Sequence, residues 1–208
     1  MISVYNLKPA FQRLLRPCVN FLAKHNITAN EVTIWAFILS CLTSAGLLYA
    51  AKNYHYLYFI LPVFLFIRMA LNAFDGMLAR EHNQQSRLGA ILNEVGDILS
   101  DLALYIPFLY IRSVNYWLIL CFSLLAMFTE TAGIMALQIG SARRYDGPMG
   151  KSDRAFWFGL LGLLSAFNFP SSDILNYAVI LINIFMLITV FNRFKNALEV
   201  KDAAKQKI

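Results

Sequence analysis

The sequence predicts an all-α membrane protein, with six transmembrane helices preceded by an amphipathic helix lying in the headgroup plane, in one domain over residues 1–208. Three observations predict it. The chain is 59% hydrophobic and 14% charged, with mean hydropathy +0.56, too apolar for an ordinary soluble domain of this length. Its apolar runs recur at lengths near the roughly 20 residues that cross a bilayer. Its lysines and arginines gather in alternate connections, as they do when a chain threads back and forth through a membrane.

The elements follow in order. Over residues 4–24, Leu7, Phe11, Leu14, Leu15, Cys18, Phe21 and Leu22 recur at helical spacing, while Lys8, Gln12, Arg13, Arg16 and Lys24 fill the opposite side. That division suits a helix in the membrane interface. Spans are expected at about 31–51, 56–79, 88–111, 115–140, 153–170 and 174–194, the fifth being the shortest apolar run and closed by Pro170. The connections are brief, with no linker or internal repeat. Cys18, Cys41 and Cys121 form no CxxC pair; Cys41 and Cys121 lie in apolar runs and are expected as small buried hydrophobes. The first 30 residues lack the continuous apolar stretch of a cleavable signal peptide.

Of the 18 basic residues, fifteen fall on one side: Lys8, Arg13, Arg16, Lys24, Arg80, Arg87, Arg143, Arg144, Lys151, Arg154, Arg193, Lys195, Lys201, Lys205 and Lys207. Lys52 and Arg112 fall on the other, and Arg68 lies within a span. The positive-inside rule then places both termini and the 80–87 and 141–154 loops in the cytoplasm. The net charge of +6 reflects this topology and anionic headgroups. With no basic soluble face, nucleic acid is not an expected partner.

Oxygen-bearing side chains interrupt the second and third spans. Arg68, Asn72, Asp75 and Ala79 are spaced by four, three and four residues, and Gly89, Asn93, Gly96, Asp97 and Ser100 follow the same rhythm. At about 100° per residue each set forms one stripe. An ionised group at membrane depth costs roughly 2.5 kcal/mol or more, so such residues are functional candidates. The two helices are antiparallel with a short loop, which sets Asp75 and Asn93 at matched depth, about one turn inside the cytoplasmic boundary. Gly76 and Gly89 allow close approach of a ligand or backbone. A cluster of oxygen ligands suits a hard cation such as Mg²⁺ or Mn²⁺. The alternative is a structural polar network, for example Arg68 paired with Asp75.

The spacing Asn72-x2-Asp75-Gly76-x2-Ala79-Arg80-x8-Gly89-x3-Asn93-x3-Asp97 resembles the D-x2-D-G-x2-A-R-x8-G-x3-D-x3-D signature of the CDP-alcohol phosphotransferases, integral-membrane enzymes of phospholipid head-group synthesis. Six of eight fixed positions match, and the six-span layout extends the resemblance over nearly the whole chain. The resemblance implies transfer of a phosphatidyl or other phospho-alcohol group from a CDP-linked lipid donor, often CDP-diacylglycerol, to a hydroxyl acceptor, with release of CMP. It implies two divalent cations, Mg²⁺ or Mn²⁺, on the aspartate positions, the last aspartate as general base, and a homodimer in a bacterial inner membrane with its site on the cytoplasmic side. Residue by residue, Asp75 is then a metal ligand and Asp97 a ligand or base, while Asn72 and Asn93 occupy the other two ligand positions. Gly76, Ala79, Arg80 and Gly89 belong to the nucleotide-contacting part. The segment "NITANEVT" is similar to the family's lead into the first span, with Asn30 and Thr33 facing the nucleotide. In "RRYDGPMGKSDR", Lys151, Arg154 and Arg143 are candidates for an acceptor phosphate, the alternative being ordinary cytoplasmic charges.

Asn72 and Asn93 are the departure from that pattern. The four positions carry formal −2 rather than −4, and cation affinity falls with ligand charge. Two readings therefore stand: an active transferase, or a non-catalytic CDP-lipid or nucleotide-binding protein of the same fold. Glu94, one residue past Asn93, is turned about 100° away from the site. Asp101 is expected to orient a ligand or pair with Arg68, and Glu130 to form an interhelical bond or pair with Arg68.

Overall fold

A computed structural model describes residues 8–110, 114–167 and 171–205. Residues 4–7 of the expected interfacial helix, Arg112, Pro170 and Lys207 lie outside the described residues. The described residues form seven α-helices: α1 (Lys8–Lys24), α2 (Ala29–Asn53), α3 (Ile60–Glu81), α4 (Arg87–Tyr105), α5 (Tyr116–Met135), α6 (Lys151–Ala166) and α7 (Ser172–Lys205). Short 3₁₀ turns lead into α3 (His55–Phe59) and extend α4 (Ile106–Tyr110) and α5 (Ala136–Ile139). The one after α4 begins beside Pro107, whose missing N–H breaks the α-helical ladder. The one after α5 ends at Gly140, left-handed at φ 77°, a backbone conformation glycine adopts without a Cβ penalty.

Local chemistry accounts for several boundaries. Thr28 and Glu31 form a capping box at the start of α2: the Glu31 carboxylate accepts from the Thr28 N–H at 2.7 Å, and the Glu31 N–H donates to the Thr28 hydroxyl at 3.2 Å. Ser86 caps α4 by accepting from the Gly89 N–H at 2.9 Å. The loop before it also holds α2, because the Gln84 side-chain amide oxygen, Oε1, accepts from the Ala29 N–H at 2.7 Å.

Four stretches are long and apolar enough to cross a membrane: Ala29–Tyr49, Tyr56–Glu81, Tyr116–Ile139 and Ser172–Glu199. The other two expected spans differ in kind. The 19 residues of α4 carry Arg87, Glu94, Asp97 and Asp101, and α6 has 16 residues with Lys151, Asp153 and Arg154 in its first turn. These two helices bring charge to the middle of the bundle, which is why they lack the composition of a simple span.

Two apolar clusters bracket that charge. The larger joins Tyr58, Leu61, Tyr105, Phe108, Phe122 and Phe158, with Phe122 stacked on Phe158 at 4.9 Å and Tyr58 edge-on to Phe108 at 5.2 Å. The buried Tyr58 hydroxyl donates to the Pro107 carbonyl at 2.9 Å, so the ring enters the core without an unmet polar atom. The smaller, Val19, Ala29, Val32, Met77 and Leu78, lies where α1 meets α2 and α3. On α1, Phe11, Leu15, Val19 and Leu22 face the bundle, whereas Leu14, Cys18 and Phe21 point outward. Thus only part of the expected apolar stripe packs on protein. Cys41 and Cys121 are exposed on the outer surface of the bundle rather than buried, because apolar helices in this fold present much of their surface outward.

The loop between α5 and α6 is seated directly on α5. A Cβ on Gly133 would stand 2.5 Å from the Arg144 carbonyl oxygen and 3.2 Å from an Arg193 guanidinium nitrogen. Gly133→Ala is therefore expected to cost about 1–3 kcal/mol through overpacking, read as a lowered unfolding midpoint in detergent; an unchanged midpoint would show that the loop yields freely.

Candidate active site

The site is built where the C-terminal half of α3 lies beside the N-terminal half of α4, with α2 and the start of α6 closing it. Asp75 is buried, at 3% exposure. Its Oδ2 accepts from the Thr33 hydroxyl at 2.9 Å and from the Asn93 amide at 3.2 Å. Its Oδ1 is buried with no hydrogen-bond partner. Asp97, one turn beyond Asn93, accepts from the Asn72 amide at 3.1 Å on Oδ1. The same oxygen meets the Lys151 ammonium at 2.5 Å and lies 3.6 Å from the Arg68 guanidinium. The four motif positions are thus brought into one cluster, and the two asparagines each touch one of the two aspartates across the helix pair.

A layer of ion pairs lies beneath. Arg68 bonds Asp101 and donates to the Asp97 carbonyl oxygen at 3.0 Å. Arg154, fully buried at 0% exposure, reaches Glu130 at 2.9 Å, Asp101 at 3.4 Å and the Thr129 hydroxyl at 2.7 Å. Arg193 donates to the Thr129 carbonyl and lies 3.6 Å from Glu130. Arg143 pairs with Glu94 and, at 3.2 Å, with Glu130. Arg144 grips Asp146 with two bonds of 2.6 and 2.9 Å. Partial burial opposes ionisation of Asp146, but the bonds from Arg144 outweigh it and hold this loop carboxyl below its usual range.

Several expectations change here. Arg68 pairs with Asp101 and Asp97, not with Asp75. Of the two expectations for Glu130 the interhelical bond holds and the pairing with Arg68 does not: it meets Arg154 of α6 and Arg193 of α7, together with Arg143, because α5 faces α6 and α7 at that level. Arg154 and Arg143, candidates for an acceptor phosphate, are committed to carboxylates, and Arg154 has no exposed surface; Lys151 alone of the three touches the motif. Glu94 points away to Arg143, as its position on the helix predicts. Thr33 reaches Asp75 itself. Asn30 stands against Gly89, where a Cβ would come 2.6 Å from its Oδ1, so this glycine lets α2 and α4 approach. Gly76 and Arg80 adjoin, with the guanidinium 3.3 Å from where a Cβ would be. Ala79 packs in the smaller apolar cluster on the same face. The roles of Arg193 and Thr129 had no signal in the sequence beyond a basic residue near a helix end and an ordinary threonine.

Among the described residues no cluster of three or more His, Cys, Asp or Glu has ligand geometry. Asp75 nevertheless offers an unpartnered carboxylate oxygen. The Asn93 amide beside it needs only a half-turn to present its carbonyl instead of its NH₂. Buried polar atoms are rarely left unpaired, and an open carboxylate oxygen with an amide beside the same carboxyl group fits a hard cation such as Mg²⁺ or Mn²⁺.

The fold and the site together define a helical membrane protein with a carboxylate-and-amide cluster between two antiparallel helices. The family model for CDP-alcohol phosphatidyltransferase matches residues 26–193, and the chain belongs to that family. It is 48% identical over 197 residues to the inner membrane protein YnbA of Escherichia coli, covering 95% of this chain and 97% of that one. A protein of Aquifex aeolicus is 30% identical over 213 residues, covering 94% and 96%. The fold matches the phosphatidylinositol phosphate synthase of Mycobacterium tuberculosis crystallised with CDP-DAG, at TM-score 0.74 and 20% identity over 89% of this chain and 94% of that one. The same synthase in complex with manganese and citrate matches at TM-score 0.73 and 21% identity, over 88% of each chain.

Proposed function

We propose that the protein transfers a phosphatidyl or other phospho-alcohol group from a CDP-linked donor, CDP-diacylglycerol in the leading case, to a hydroxyl acceptor, releasing CMP. The observation that carries the reading is the pairing of Asp75, with its open oxygen, and Asp97 across α3 and α4 within the family's motif. Asp75 and Asn93 would hold a divalent cation, Mg²⁺ or Mn²⁺. When bound there, the ion supplies positive charge to the pyrophosphate and the departing CMP.

The chain's own groups do the rest. Arg80 and Asn30, beside Gly76 and Gly89, border the nucleotide position. The acceptor oxygen attacks the phosphorus remote from cytidine, the bond to the CMP oxygen breaks, and Asp97 takes the acceptor's proton. Lys151 is the basic group left to meet an acceptor phosphate or the pyrophosphate. The same reading takes α4 and α6 as spans too, giving six. It places α1 in the interface with Leu14 and Phe21 toward lipid, and sets the site and both termini on the cytoplasmic side of a bacterial inner membrane. The homodimer expected from the family belongs to it as well.

Purified protein given CDP-diacylglycerol, Mn²⁺ and a panel of alcohols is expected to release CMP. Asn72 and Asn93 favour a second reading, a CDP-lipid or nucleotide binder without turnover. Asn72→Asp with Asn93→Asp separates the two. If the natural protein binds donor without releasing CMP and the double variant turns over, the binding reading stands.

A further inference from the structure

We infer that this site takes one divalent cation rather than two, and that the Lys151 ammonium holds the place of the second positive charge on Asp97. The inference rests on the reading just proposed and specifies its metal content. It begins from charge. The central cluster contains five carboxylates, Asp75, Glu94, Asp97, Asp101 and Glu130, and five basic groups, Arg68, Arg143, Lys151, Arg154 and Arg193. Their sum is zero before any ion enters. Four of the carboxylates are in ion-pair contact: Glu94 with Arg143, Asp97 with Arg68 and Lys151, Asp101 with Arg68 and Arg154, and Glu130 with Arg143, Arg154 and Arg193. Asp75 is the exception, and its Oδ1 is the one buried carboxylate oxygen without a hydrogen-bond partner among the described residues.

Geometry divides the motif the same way. On one side, Asp75 carries only neutral donors, Thr33 and Asn93. On the other, Asp97 Oδ1 already receives Lys151 at 2.5 Å and Asn72 at 3.1 Å, with Arg68 at 3.6 Å. An incoming cation on that side would lie against two fixed positive charges and an amide N–H group, with a single carboxylate to attract it. Like charges at such range repel strongly where water is largely excluded.

The placement of Lys151 is not a local preference. It is the first residue of α6, where the helix dipole disfavours a cation. Asp153, accepting from the Gly150 N–H at 3.1 Å, and Asp97 offset that cost. A residue that violates the helix-start rule and is held by a motif aspartate marks a site where function overrides propensity.

The test is a count of Mn²⁺ on the full chain in detergent, without donor, by equilibrium dialysis and by the loss of the free-ion paramagnetic resonance signal. The natural protein is expected to bind one Mn²⁺ per chain, and Asp75→Asn to bind none. Lys151→Met, and independently Asn72→Asp, which adds a carboxylate beside Asp97, are each expected to raise the count to two. Asn72→Asp leaves the lysine and the helix start untouched, so the inference does not depend on the folding of Lys151→Met. Two ions of similar affinity on the natural protein would overturn the one-cation inference and leave the proposed metal-dependent transferase standing. No bound Mn²⁺ would overturn both. A count that stays at one in both variants would show that Lys151 does not exclude the second ion.

Discussion

Replacing Asp97 with asparagine is expected to reduce CMP release by about 10²–10⁴-fold, the usual yield of a positioned acid–base group, while the protein remains folded. In the proposed role of proton acceptor it is irreplaceable by an amide, because a neutral carboxamide does not take a proton from a hydroxyl near neutral pH. As a structural element it is less critical. Arg68, which lies 3.6 Å from it, keeps its bond to Asp101, and Lys151 retains a path to water, since its side chain is 27% exposed. The unfolding midpoint should therefore move little while turnover falls. Steady-state CMP release and thermal unfolding on one preparation check this. Activity within a few-fold of the natural protein would remove Asp97 from the proton-accepting role.

Arg154→Met is expected to show the opposite pattern, a loss of stability rather than a selective loss of chemistry. Arg154 is fully buried and bonds Thr129, Glu130 and Asp101 together, at 2.7, 2.9 and 3.4 Å. Its removal leaves two buried carboxylates with fewer counter-charges, and breaking a buried pair costs about 3–5 kcal/mol. Arg143 and Arg193 still reach Glu130, and Arg68 still reaches Asp101, which puts the expected loss near the lower end. Arg154→Lys keeps the charge but lacks the planar fork that meets three partners at once, so an intermediate midpoint is expected. Denaturant or thermal titration in detergent checks the order natural, Lys, Met. A Met variant as stable as the natural protein would mean that the ion network contributes specificity rather than stability.

These two arginine-rich and aspartate-rich layers were unequally legible in the sequence. Asn72, Asp75, Asn93 and Asp97 lie on two helices joined by a short loop, so helical period and antiparallel pairing suffice to bring them to one depth. The contacts across that pair follow: Asn72 with Asp97 and Asn93 with Asp75. The Glu130 network is different, because its partners come from α6, α7 and the loop before α6. A basic residue near a helix end reads as a headgroup charge whether it lies in water or in the core. Arg193 shares the end of the last expected span with the exposed Lys195, and Arg154 stands at the start of another, yet the two arginines are at 2% and 0% exposure. Lys151 also reads as a cytoplasmic charge until α6 is docked beside α4.

Helix positions, the α3–α4 motif and the asparagines at two of its positions could all be read along the chain. Each follows from short-range pattern: apolar run length, a 3.6-residue period, cap residues such as Thr28 and Ser86, and fixed spacing. Which carboxylate already has a cation, and which does not, was settled by helix packing. Asp97 meets a lysine more than fifty positions along the chain, whereas Asp75 is left with neutral hydrogen-bond donors and an open oxygen. Charge neutralisation depends on distances of a few ångströms between helices remote in sequence, and packing alone sets those distances.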